Sequence, residues 1–130
     1  MTQASLDHLT ATEALQGFAS GKISSVQLVS ACLARIRARD DAVRAWESLD
    51  AEGALTAARA VDVARESGAS VGPLAGIPVG VKDIIDTVDF PTEYGSEIFA
   101  GRSPSANAFV VTQLRARGAI ILGKTVTTEL

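Results

Sequence analysis

All four prolines and six of the eleven glycines fall between Gly68 and Pro104, in "GASVGPLAGIPVGVKDIIDTVDFPTEYGSEIFAGRSP". Proline fixes φ and removes an N–H donor, whereas glycine opens the left-handed region to the backbone. A stretch so rich in both cannot be a helical layer. It predicts short strands joined by sharp turns, with backbone geometry specified more tightly than side-chain bulk. Everything placed before and after it must pack around that centre.

The first half reads as helical. "LTATEALQGFASG" opens with Thr10 and Glu13 in capping-box spacing, and Gly21 follows its end. "SSVQLVSACLARIRARD" repeats the device with Ser24 and Gln27, then sets Leu28, Val29, Cys32, Leu33 and Ile36 on one stripe. "AVRAWESL" is a strand candidate bounded by Asp40-Asp41 and Asp50, although Glu47 breaks its alternation. Asp50 can cap the next helix, whose Ala54, Ala58, Val61 and Ala64 face one way and which ends at Gly68. Strands separated by helices predict an α/β arrangement.

The totals exclude several classes. A hydrophobic fraction of 47% describes a chain that forms a core. No apolar run approaches the roughly 18 residues that span a membrane. The N-terminus lacks the basic and apolar segments of a secretory signal. A net charge of −3 gives no reason to expect nucleic acid. Cys32 is the single cysteine, so no internal disulfide forms, which fits a reducing, cytoplasmic setting. His8 is the single histidine, which excludes a histidine-rich metal site.

Residues 118–125, "GAIILGKT", match the phosphate-binding pattern G-x-x-x-x-G-K-[ST]. A P-loop follows a strand and opens a helix. Here "SANAFVVTQLRAR" carries helical spacing at Ala108, Val111, Leu114 and Arg115, and Gly118 sits where a helix C-terminal glycine belongs. Ala119 to Leu122 then make a poor loop and a good buried strand. The order is helix, glycine, strand. Nucleotide binding at Gly118–Thr125 is therefore the weakest of three functional readings, and the order leaves open why Lys124 is there.

Lysine is scarce, with Lys22, Lys82 and Lys124 set against nine arginines. In "GIPVGVKD", Ile77, Val79 and Val81 share one face of a strand, and Pro78, Gly80 and Lys82 the other. A lysine held beside a glycine-rich surface could be partly desolvated, which lowers its pKa and supplies the neutral amine of a general base. The plainer alternative is a strand-end lysine paired with Asp83 or Asp86.

"GPLAGIPVGVKDIIDT", then "PTEYGS", then "LRARGAIILGKTVTTEL" strongly resemble the start of the amidase signature family, closely over about the last 60 residues. The stretch from "LVSACLARI" through "VDVARESG" is also similar to that family's N-terminal part. The resemblance implies an α/β fold with a mixed sheet flanked by helices, of which this chain holds an incomplete part. Residues 1–24 would form an N-terminal helical segment, and 25–130 the N-terminal portion of a truncated amidase domain. It implies hydrolysis of a carboxamide through a Ser–Ser–Lys triad, with Lys82 as the base and no metal or organic cofactor. Tyr94 and Ser96 match positions that could line the substrate site. The resemblance also implies that Lys124 supports the fold near the site, with no partner that the sequence names. Transamidating members tend to carry Asn after the Lys-Asp pair, so Ile84 leans towards a stand-alone amidase acting on a small-molecule amide.

Both triad serines belong to a Gly-Gly-Ser-Ser-Gly-Gly-like segment, and this sequence has no Gly-Gly dipeptide. The expectation is the front of a longer amidase, completed by the remainder of the polypeptide. A non-catalytic binding module presenting open strand edges at 77–81 and 119–122 is the alternative. The isolated 130-residue chain is predicted to release no ammonia from simple amides. Ammonia release that Lys82→Ala abolishes would overturn this.

Overall fold

The computed structural model describes residues 6–130. Helix α1 (Ala11–Ala19) begins where expected: Glu13 N–H donates to Thr10 Oγ1, and Thr10 N–H donates to Glu13 Oε2. Helix α2 (Ser25–Val43) repeats this box with Ser24 and Gln27. Its first two N–H groups, on Ser25 and Val26, also donate to the Asp62 carboxylate, borrowed from another helix. A carboxylate there satisfies orphan donors and complements the positive end of the helix dipole.

Strand β1 is only Trp46–Leu49, shorter than the segment read from sequence. Ala42 and Val43 stay helical, and Arg44 ends α2 in the left-handed region at φ 53°. Arg44 N–H donates to Asp40 O, and Ala45 N–H donates to Asp40 Oδ1. Asp40, expected to bound the strand, instead accepts the bonds that close the end of the helix. Helix α3 (Ala51–Glu66) is capped by Asp50, which accepts from Gly53 N–H. Its buried Ala54 and Ala58 carry so little bulk that α3 settles against Val29 and Leu33 of α2.

Strands β2 (Pro78–Lys82) and β3 (Ile120–Thr125) are parallel neighbours, joined by a crossover that contains a short 3₁₀ turn at Glu97–Phe99 and helix α4 (Phe109–Ala116). β1 lies antiparallel on the other side of β3, giving the order β1-β3-β2. β3 is the central strand, but β1 lies opposite residues 123–125 only, with Asp50 N–H reaching Leu122 O, so residues 119–121 have a strand neighbour on the β2 side alone. The outer edges of β1 and β2 are also open. Ile120 and Leu122 face α2 and α3, while Ile121 packs with Val81, Phe90 and Val111 on the opposite face, beneath α4.

Gly118 has φ 89° and follows α4, and a Cβ there would come within 2.7 Å of the Ala75 backbone. It is glycine for conformation and for closeness. Lys124, next to the last residue of β3, has no exposure to water. Its ammonium donates to Thr92 Oγ1 at 2.6 Å and to Pro91 O at 3.2 Å, and lies 3.1 Å from Asp83 Oδ1. The partner that the sequence could not supply is this pocket of three oxygens, leaving nothing for a phosphate.

Removing one member of a buried ion pair strands the other's charge. Lys124→Met is expected to cost about 3–5 kcal/mol in chemical denaturation. ATP is expected to give no thermal shift.

Candidate active site

In an open α/β sheet, functional groups collect beyond the carboxyl ends of parallel strands. Here those ends are Lys82 and Thr125, which are register partners across β2 and β3. Lys82 is exposed, with its neighbour Val81 buried on the other face. The space on the Lys82 side is kept bare by Gly80, where a Cβ would come within 2.9 Å of both Thr125 and the Trp46 ring.

Neither aspartate proposed as a partner for Lys82 is available to it. Asp83 is buried against Lys124. Asp86 takes a two-point contact from Arg102, at 2.7 and 3.1 Å. Hydrogen bonding from Arg102 holds the Asp86 carboxyl below the usual aspartate range. Among the described residues Lys82 has no ion-pair partner.

Tyr94 sits next in space along the backbone. Its φ is 55°, and its N–H donates to Asp83 O, pinning the 92–96 turn to the exit of β2. The Arg102 guanidinium lies 5.0 Å over the Tyr94 ring, which meets Phe99 edge-on at the same distance. Tyr94 also lines a shallow cleft of ≈ 630 Å³ with Ile84, Asp86, Asn107 and Phe109. Lys82 does not line that cleft. Ser96 is buried, and its hydroxyl donates to Glu129 Oε1 at 3.0 Å, so it is engaged with the 126–130 tail and not with Lys82.

The backbone thus brings Lys82 and Tyr94 to the same end of the sheet through Asp83, while Ser96 stands apart. Sequence reasoning missed Thr92, Arg102 and Glu129. Glu129 had a signal, lying near the end of the family-like stretch "LRARGAIILGKTVTTEL". Thr92 and Arg102 had none, because their roles depend on how the crossover loops fold back. Among the described residues no cluster of His, Cys, Asp and Glu could hold a metal ion. Cys32 is half-buried on its helix, and burial pushes its thiol pKa up, with nearby Asp7 adding to the shift. That disfavours the thiolate a nucleophile needs.

Comparison with known proteins bears on the family and the fold. The family described as Amidase matches residues 27–130. One component of the glutamyl-tRNA(Gln) amidotransferase of Chloroflexus aurantiacus is 49% identical over 119 residues, covering 92% of this chain and 24% of that protein. The peptide amidase of Stenotrophomonas maltophilia superposes with a TM-score of 0.84 at 35% identity, over 92% of this chain and 25% of its own. Fatty acid amide hydrolase gives a TM-score of 0.89 at 26% identity, over 98% of this chain and 23% of its own. The chain spans about a quarter of the length of the curated relatives it matches. It belongs to the amidase family.

Proposed function

We propose that this chain carries the general base of an amidase, and that the base is Lys82. The observation that supports it is the isolation of Lys82 at the carboxyl end of the parallel pair, with both neighbouring aspartates bound elsewhere. A lysine not tied to a carboxylate can turn its nitrogen to a hydroxyl brought beside it. In the reaction, the Lys82 amine accepts the proton of a serine nucleophile through a bridging serine. The nucleophile attacks the carboxamide carbon, ammonia or an amine leaves, and water hydrolyses the resulting ester. The two serines come from the remainder of the polypeptide, because this chain holds no such segment. Catalysis therefore belongs to the longer protein, and the 130-residue chain alone is inactive.

The substrate is a carboxamide, and the reading favoured by Ile84 is a small amide hydrolysed by the polypeptide on its own. A second reading has support from the 49% identity to an amidotransferase component, in which the released ammonia serves a glutamyl-tRNA. Both use the same Lys82 chemistry. Hydrolysis of simple amides by the longer polypeptide alone favours the first, and a rate that rises sharply with added partner proteins and glutamyl-tRNA favours the second.

The experiment is Lys82→Ala in the longer polypeptide, read as ammonia release. Loss of a general base costs roughly 10²–10⁴ in rate. A variant within twofold of the parent would remove Lys82 from the mechanism.

A further inference from the structure

Lys82 alternates with two residues that are not free to move. Val81 is buried beneath α4, and Asp83 is held from four directions. Asp83 N–H donates to Thr125 O at 2.9 Å, and Asp83 O accepts from Tyr94 N–H at 3.1 Å. Its Oδ2 accepts from Glu93 N–H at 3.2 Å, and its Oδ1 faces the Lys124 ammonium at 3.1 Å. Lys124 is in turn fixed by Thr92, whose hydroxyl donates onward to Ile85 O. Side chains alternate along a strand, so anchoring 81 and 83 on one face turns 82 to the other.

We propose that the buried Asp83–Lys124 pair is a positioning device for Lys82. It sets the backbone on the C-terminal side of the base and ties it to β3 and to the 91–94 turn. The inference rests on Lys82 being the base. A buried ion pair is seldom needed for stability alone, because well-packed apolar residues of similar volume often serve as well. What apolar residues cannot copy are the two side-chain tethers, Oδ2 to Glu93 N–H and Oδ1 to the Lys124 ammonium, whereas the two backbone bonds stay with any residue at 83. Neither Asp83 nor Lys124 touches substrate in this assignment.

Two variants of the longer polypeptide separate positioning from folding. Asp83→Leu with Lys124→Met replaces the pair by apolar volume. Asp83→Asn keeps the side-chain volume and one acceptor oxygen but loses one tether and the charge opposite Lys124, so its folding is checked by chemical denaturation before kcat is read. Each is assayed beside Lys82→Ala on the carboxamide that the parent turns over fastest in a panel of aryl, aliphatic and glutaminyl amides. Displacement of a catalytic group by even about 1 Å can cost on the order of 10²-fold. The expected result is a kcat lowered about 10- to 100-fold in the double variant and about tenfold in Asp83→Asn, with KM unchanged within about twofold.

Folded variants that keep the parent kcat overturn the proposal, as does a loss of kcat with an equally large rise in KM. If the double variant does not fold, Asp83→Asn decides by the same split. Lys82→Ala distinguishes the two failures. An active Lys82→Ala defeats the base assignment and the positioning role with it. An inactive Lys82→Ala beside unaffected pair variants defeats the positioning role alone.

Discussion

A lysine ammonium shielded from water needs oxygen atoms on every side it would otherwise turn to solvent, and Lys124 finds them on two separate segments. Pro91 and Thr92 come from the crossover loop, Asp83 from the exit of β2, and the lysine itself from β3. Desolvation of the pair is costly, so each oxygen must be in place before burial becomes tolerable. The loop cannot drift without exposing the charge. Around this centre the rest follows: the 92–96 turn closes onto Asp83, Tyr94 is carried with it, and Arg102 bridges Asp86 to the same turn.

The two faces of the sheet are held by different means. One is an aliphatic contact in which Ala54 and Ala58 let α3 approach Val29, Leu33 and β3. The other is half apolar, with Phe90, Val111 and Ile121, and half ionic, where Lys124 and Asp83 meet. The ionic half lies at the carboxyl end of the parallel strands. Chemistry is proposed at that end, and directional contacts hold a side chain in place more narrowly than apolar packing does.

Legibility in sequence followed the range of each interaction. The caps at Thr10, Ser24 and Asp50 could be read because donor and acceptor lie three residues apart. Gly118 could be read because helix ends favour glycine, although its close approach to Ala75 could not. The end of α2 was misplaced because a left-handed arginine is an uncommon stop, and Asp40 looked like a boundary when it was the capping acceptor. Lys82 was visible through its strand alternation and the motif around it. The partners of Lys124 were invisible, since about thirty to forty residues separate it from Thr92 and Asp83 and no local pattern encodes that meeting.

The strand order β1-β3-β2 has a consequence for synthesis on the ribosome. β1 and β2 emerge first, yet neither borders the other, and each must wait for β3 to enter between them. At ~5–20 residues per second, the interval between Lys82 and Ile120 lasts on the order of seconds. During that time Ile77, Val79 and Val81 have no central strand to pair with. A nascent chain in this state offers apolar β-forming sequence to any neighbour, and α1 to α3, which can form beforehand, are the elements able to shelter one side of it.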